Sequence, residues 1–392
     1  MEAVVNSKEN LLSEQKAAYS RRVGSITKRV HRLADGRELI YFDDADSALP
    51  PERAADQRIL ERRPATAQMR QDVLTGEWIS IAAARQNRVV MPPPESDPLA
   101  PQAPGNPSEI PSDYDVAVFE NRSPSFGPGL ATSDAPVTSD GVAIGRMAPA
   151  VGRCEVVCFS PAREGSFGTI SRSRARTVIE AWADRTAALS ALPGIAEVFP
   201  FENRGAAIGV TLQHPHGQVY GYPYVPPRTQ RLIASLDAYG PRLLEDVLAS
   251  ERAGERVVLA GEHWTAYVPF AARWPIEVHM MPNEHVPDFA ATTSAQRDEL
   301  AGLYLRLLRG VDALYDLPAP YIAAWHQAPV ADHRDEIRLT LQLTSPLRGA
   351  DKLKYVAGSE SAMGAWIGDI PPEAQAERLR EAIARADAKS PA

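Results

Sequence analysis

Two periods of hydrophobic and polar alternation run through this chain, and the switches between them outline its elements. The apolar runs VAVF (116–119) and CEVVCFS (154–160) read as strands, and SRSRARTVIEAWADRTAALSAL (171–192) reads as a helix. Two more strands follow, in IAEVFPF (195–201) and VTLQHPHGQVYGYPYV (210–225). After a helical tract over about 227–251 the same order returns. VVLA (257–260), HWTAYVPF (263–270) and EVHMMPN (277–283) are strands, 295–316 is a helix, and YIAAWH (321–326) and IRLTLQLT (337–344) are strands again. In that second helix Leu300, Leu303, Leu307, Val311 and Leu314 share one stripe at helical spacing. Each half thus reads strand, strand, helix, strand, strand, with FENRSPSFG (119–127) and YVPFAARWP (267–275) in equivalent places, as are VTLQHPHGQ and IRLTLQLT. The expectation is an α+β fold in which two duplicated halves form a mixed, mostly antiparallel sheet with helices packed on it. The expected divisions are an N-terminal extension over 1–60, partly flexible, a first half over 61–230 and a second over 231–392.

Outside the two halves the pattern weakens. Residues 1 to about 25 are polar and charged and read as a flexible tail. ELIYFDD (38–44) reads as a short strand, and Pro50, Pro51 and the Arg-rich run to Arg63 as a linker. The stretch VVMPPPESDPLAPQAPGNPSEIP (89–111) is too rich in proline for a helix or a central strand, so it is expected as a long loop over a surface or a site.

Composition narrows the class of function. The 392 residues, 44% hydrophobic and 23% charged, are those of an ordinary globular enzyme. A net charge of −8 and a pI near 5.6 provide no long-range attraction for nucleic acid or an anionic membrane, so a phosphate ligand must be held by a local cluster. No apolar stretch approaches the roughly 20 residues that span a bilayer, and the first residues lack an apolar signal core. A cytoplasmic enzyme of small ligands is expected, with neither nucleic acid nor membrane as a partner. Cys154 and Cys158, four apart on one strand face, read as buried small hydrophobes and not as a disulfide.

The chemistry concentrates in HPHGQ (214–218). On a strand, period 2 sends His214, His216 and Gln218 to one face. Burying such a row without partners costs about 1–3 kcal/mol per unsatisfied group, so the row points to a ligand. Pro215 and Gly217 suit a strand edge against a phosphate more than a central strand. A neutral imidazole is a good nucleophile toward phosphorus if its second nitrogen is held protonated by an acceptor, and His216 is placed to act so. Gln218 can donate to a phosphoryl oxygen but cannot supply acid/base catalysis, which favours transfer over hydrolysis.

With FENRGAAIG (201–209), LTGEW (74–78), AWHQAP (324–329) and KLKYVAGSE (352–360), this segment resembles the galactose-1-phosphate uridylyltransferase family, the transferase branch of the histidine-triad fold, over residues 69 to about 385. The resemblance implies two histidine-triad-like halves and a UDP-glucose–hexose-1-phosphate uridylyltransferase of galactose metabolism. In it His216 carries UMP between UDP-glucose and galactose 1-phosphate in a ping-pong scheme, with UDP-galactose as product. It further implies that Gln218 binds the phosphoryl oxygens and that Asn203, Gly209 and Thr211 contact the phosphates. Arg85 and Arg88 would reach nucleotide phosphates, in some members across a homodimer interface; Asn121 would contact uridine or ribose; Lys354, Tyr355 and Glu360 would belong to the hexose-phosphate segment. A nucleotide-sugar phosphorylase or adenylyltransferase on the same fold, or a degenerate nucleotide-binding protein, are the alternatives.

The chain departs from the family where zinc is concerned. Of the zinc-ligand positions only His214 keeps a histidine; the others carry Asp97, Ala100 and Arg163. A carboxylate and an imidazole alone cannot close a four-coordinate structural zinc site. At a second family metal site only His326 remains, beside Thr340, Gln342 and Leu232. No metal and no cofactor are therefore expected, His326 is expected to be a hydrogen-bonded structural residue, and the Pro-rich loop is expected to lack a metal staple. His214 is then a hydrogen-bonding neighbour that positions His216. Ser123 and Trp366 stand where a base-contacting phenylalanine and a sugar-contacting glutamine are usual.

Overall fold

The computed structural model describes residues 19–23, 26–60, 68–87, 92–127, 136–139 and 142–389. Most of the expected tail lies outside these residues, as do Arg88 and the end of the expected linker. Twelve strands make one sheet. They are β1 (Tyr19–Val23), β2 (Ile26–Arg32), β3 (Glu38–Asp43), β4 (Val116–Glu120), β5 (Arg153–Cys158) and β6 (Glu197–Arg204). Then come β7 (His216–Tyr222), β8 (Val257–Ala260), β9 (Trp264–Tyr267), β10 (Ile276–Pro282), β11 (Tyr321–His326) and β12 (Thr340–Ser345). The spatial order is β1-β2-β3-β4-β5-β7-β6-β11-β12-β10-β9-β8. Every ladder between these strands is antiparallel, so the mixed sheet expected from sequence is corrected to an antiparallel one. The expected strand over 38–44 forms, but it is the third strand of an N-terminal antiparallel meander whose first two strands the sequence reading passed over.

The halves meet at β6 and β11 and are arranged as mirror sequences about that junction. Phe201 pairs with Gln218 on one side and with Ala324 on the other, and Ala324 pairs with Gln342. Paired residues of an antiparallel sheet point to the same face. Gln218, Phe201, Ala324 and Gln342 therefore form one row, with Gln342 the second half's counterpart of Gln218 and Thr340 that of His216.

Six helices are described: α1 (Arg172–Ser190), α2 (Pro227–Tyr239), α3 (Leu243–Ala253), α4 (Ser294–Ala313), α5 (Gly358–Met363) and α6 (Pro372–Lys389). The single tract expected after 227 is two helices, because Gly240, at φ 116°, and Pro241 break it. Ser171 caps α1 by accepting from the Arg174 amide, and Thr293 and Gln296 form a capping box at the start of α4. Val178, Ile179 and Trp182 of α1 and Leu300, Leu307, Leu308 and Val311 of α4 pack on Val157, Val198, Val219, Leu341 and Leu343 of the sheet. Each of these side chains contributes about 1.5–3 kcal/mol by leaving water. The opposite face of the first half is covered by the Pro-rich loop, whose Leu99 and Ile110 pack with Tyr114 on Leu39, Tyr41, Phe119, Val156 and Cys158. Both cysteines are free and buried, as expected. No helix among the described residues is long and apolar enough to cross a membrane.

Candidate active site

β7 sits in the middle of the sheet, between β5 and β6, and not at an edge. The proline is accommodated because Pro215 precedes the strand, with its carbonyl accepting from the Phe159 amide at 3.1 Å. The glycine answers to packing and not to a phosphate: a Cβ on Gly217 would lie 2.8 Å from the Phe201 carbonyl oxygen and 2.9 Å from the Phe159 ring. Burial then alternates along β7, with Gly217, Val219 and Gly221 buried and His216, Gln218, Tyr220 and Tyr222 partly exposed on the loop face.

At the first residue of this strand the His216 ring turns back on its own chain, with Nδ1 2.7 Å from the carbonyl oxygen of His214. A carbonyl only accepts, so Nδ1 carries the hydrogen and Nε2 keeps its lone pair. Burial lowers the His216 pKa below the ordinary 6.5, outweighing the carbonyl hydrogen bond that raises it. Two residues on, Tyr220 donates to Gln218 Oε1 at 2.9 Å, which fixes the amide and presents its NH2 as a donor.

His214 is buried behind His216. Its Nδ1 lies 2.8 Å from Asp97 Oδ2, and its Nε2 lies 2.8 Å from the Ser160 carbonyl oxygen and 3.0 Å from Tyr114 Oη. Tyr114 also donates to the Leu99 carbonyl at 2.7 Å, and Asp97 Oδ1 accepts the Leu99 amide at 2.9 Å. The Pro-rich loop, expected without a staple, is thus stapled to the HPHGQ segment through Asp97 and Tyr114. Burial would raise the Asp97 carboxyl, but the hydrogen bond and charge of His214, with the Leu99 and Ala100 amides, hold it below its ordinary value.

A cleft of about 390 Å³ opens at the end of β6 and the start of β7, lined by Asn203, Gly205, Leu212, His214, His216 and Glu164, among others. Asn203 lies two residues beyond Phe201, whose pairing with Gln218 carries the register toward His216. Gly209, at φ 79°, ends the short helical turn Ala206–Ile208, and Thr211 follows in the same loop, between the cleft-lining Val210 and Leu212. Glu202, pointing to the helix side of β6, lines the cleft too; Tyr321 donates to its Oε1 at 2.9 Å, and burial raises its carboxyl to about 7.

The other candidate residues do not border this cleft. Arg85, in the short helical turn Ala83–Asn87, donates to Ser125 Oγ at 2.8 Å in the loop after β4, where the Asn121 carboxamide oxygen accepts the Ser123 amide at 3.0 Å. Lys354 is buried, donating to the Arg273 carbonyl at 2.9 Å and to that of Ile367, and pairs with Glu360 at 3.5 Å. Trp366 serves as packing, 5.9 Å below the Lys354 ammonium and 5.3 Å from Trp274. Tyr355 is exposed. LTGEW contributes Thr75 to Trp78 to a second cleft of about 320 Å³, against Tyr224 and Gln230. In the second half, His326 meets its expectation only in part: it has a side-chain hydrogen bond with Gln342, but its Nε2 is buried with no hydrogen-bond partner among the described residues, and burial drives its pKa down to about 3. Sequence reading missed Tyr220, which the period-2 spacing from Gln218 would have exposed. It also missed Tyr114, Ser160 and Glu202, for which there was no local signal.

Comparison with known proteins identifies the family. Two family profiles match end to end: galactose-1-phosphate uridyl transferase, N-terminal domain, over residues 58–226, and the C-terminal domain of the same enzyme over 229–389. The galactose-1-phosphate uridylyltransferase of Streptomyces lividans is 43% identical over 377 residues, covering 91% of this chain and 98% of that protein. The enzyme of the same name from Thermotoga maritima is 33% identical, covering 80% and 98%. Among solved structures, a uridylyltransferase superposes with a TM-score of 0.72 at 28% identity, covering 81% of this chain and 99% of that one. Both halves being matched in order and nearly in full, the chain belongs to the galactose-1-phosphate uridyl transferase family.

Proposed function

We propose that this chain is a nucleotidyltransferase that moves UMP from UDP-glucose to galactose 1-phosphate through a uridylyl-His216 intermediate. The observation that carries the reading is the hydrogen bond from His216 Nδ1 to the His214 carbonyl, which leaves Nε2 bare beside the cleft. Nε2 attacks the α-phosphorus of UDP-glucose; the bond from that phosphorus to the bridging oxygen breaks, and glucose 1-phosphate leaves with the electron pair. The ring becomes cationic as the N–P bond forms, and the carbonyl already aimed at Nδ1–H stabilises that charge without reorganising. Gln218 and Asn203 donate to the phosphoryl oxygens. An oxygen of galactose 1-phosphate then attacks the same phosphorus, the N–P bond breaks, and UDP-galactose leaves with His216 neutral again.

Arg85, Arg88 and Asn121 are proposed for the nucleotide, Gly209 and Thr211 for the phosphates, and Lys354, Tyr355 and Glu360 for the segment serving the hexose phosphate. A homodimer in the cytoplasm is part of the proposal; exposed Val73, Leu74, Ile79 and Ile81 around the LTGEW turn are consistent with a covered surface. Incubation with UDP-glucose labelled at the α-phosphorus tests the reaction. Acid-labile, base-stable label retained by the protein and lost in His216→Ala is expected. Label from ADP-glucose in place of UDP-glucose would favour the adenylyltransferase alternative, and no label from either would overturn nucleotidyl transfer.

A further inference from the structure

The zinc that the family resemblance implies does not fit these residues. A zinc ligand needs a free lone pair. His214 Nδ1 faces the Asp97 carboxylate and Nε2 the Ser160 carbonyl, each at 2.8 Å and able only to accept, while Tyr114 Oη, 3.0 Å from Nε2, gives its own hydrogen to the Leu99 carbonyl at 2.7 Å. Both nitrogens therefore carry hydrogen. Asp97 is likewise engaged, one oxygen on His214 and the other on the Leu99 amide at 2.9 Å, and Ala100 and Arg163 offer no lone pair for a metal at neutral pH.

We propose that a buried Asp97–His214 ion pair does in this chain what a metal would otherwise do, and that Asp97 is a positioning residue for the nucleophile. The reasoning follows the hydrogen bonds outward. Asp97 is itself anchored, being the acceptor for Leu99 and carrying on its backbone carbonyl the Asn106 side-chain amide at 2.9 Å. Through Nδ1 it sets the His214 ring; Ser160 and Tyr114 fix the ring's far side. The held residue is the one whose backbone carbonyl takes His216 Nδ1–H at 2.7 Å. Displacing His214 therefore moves the acceptor that keeps Nε2 of His216 bare. The pair is buried, so its mutual attraction is little screened, and removing one partner leaves the other uncompensated. The inference rests on His216 as the nucleophile, but the state of His214 can be read without catalysis.

The test uses the full-length protein, with Asp97→Asn as the variant. Asparagine keeps the shape, but its oxygen stays with the Leu99 amide, so its NH2 faces His214 Nδ1; the ring must give up the Nδ1 proton, and with it the ion pair, to accept that donor. Nitrogen-15 histidine spectra of the wild type are expected to show a protected, downfield His214 Nδ1–H that the variant lacks. The kcat for uridylyl transfer is expected to fall about 10–100-fold with KM within about threefold, the range typical of removing a group that orients a catalytic residue. Metal analysis is expected to find no stoichiometric zinc. A folded Asp97→Asn protein with unchanged kcat would overturn the proposal, as would one equivalent of zinc in the wild type. Should the variant fail to fold, the wild-type spectrum decides: a His214 without a protected Nδ1–H overturns it. A wild type with the His214 signal but no uridylylation would sink the proposed reaction and leave the ion pair standing.

Discussion

Burial and a single backbone carbonyl together set the protonation of His216, and they act in opposite directions. Burial prevails, so the ring holds its proton less tightly than an ordinary imidazole and stays neutral to lower pH. The acid limb of kcat/KM, which reports the free enzyme, is therefore expected at a midpoint below 6.5; a midpoint above that value would contradict the reading. Gln218 provides a second expectation. Tyr220→Phe removes the donor that pins the amide oxygen, letting the amide turn its oxygen toward a phosphoryl group. Roughly a three- to tenfold loss of kcat is expected, about the 0.5–1.5 kcal/mol of one neutral hydrogen bond, and steady-state kinetics would show it. At this scale HPHGQ was legible because its residues are neighbours in sequence and carry rare chemistry. Of the partners of His214, Asp97 was brought to notice only by the family's zinc positions, and Tyr114 and Ser160 not at all, since the three lie 117, 100 and 54 residues away and meet it only through the fold.

Period-2 alternation was enough to find β7, and the same pattern gave β4, β5, β6 and the strands of the second half. It did not reveal that β7 is interior, because strand order is decided by pairing and not by any one strand's composition. Gly217 illustrates the difference. Read alone it suggested an approaching phosphate; in the sheet it is the gap into which Phe159 and the Phe201 carbonyl fit. Gly217→Ala is accordingly expected to destabilise the fold by about 1–3 kcal/mol through overpacking. Chemical denaturation would measure this, and an unchanged midpoint would show that the neighbours yield. The N-terminal hairpin escaped notice for a related reason: β1 and β2 are rich in arginine, and lysine and histidine join them in β2, so their alternation is mostly polar on both faces.

Across the whole molecule, the repeated order of elements let the duplicated fold be read from sequence, since each half needs the same apolar face to cover the same helix. Buried charge was not readable in that way. Glu202 illustrates this: it lies in FENRG next to Asn203, a candidate phosphate contact, yet its carboxyl is enclosed with Tyr321 and raised to about 7. The folded protein holds that proton where the unfolded chain, with an ordinary value of 4.5, has lost it. Glu202 therefore favours folding fully below pH 4.5, and the contribution erodes as pH rises to about 7, by roughly 1.4 kcal/mol per pH unit over that window. Glu202→Gln is expected to flatten the decline of Tm between pH 5 and 7 without abolishing it, because Glu197 is raised to about 7 as well. Parallel curves for variant and wild type would reject this.

The row that joins Gln218 to Gln342 across the centre of the sheet also settles an accounting of chemistry. Gln342 repeats the glutamine, but Thr340 stands where the other half has its imidazole, and a threonine hydroxyl held on the Arg338 carbonyl at 2.9 Å is no acceptor of a nucleotidyl group. A polypeptide folded twice over should therefore be charged once. Quenched before the second substrate is added, the enzyme is expected to hold one phosphoramidate per chain, and a burst approaching two equivalents would mean that the symmetry of the backbone extends to the catalyst.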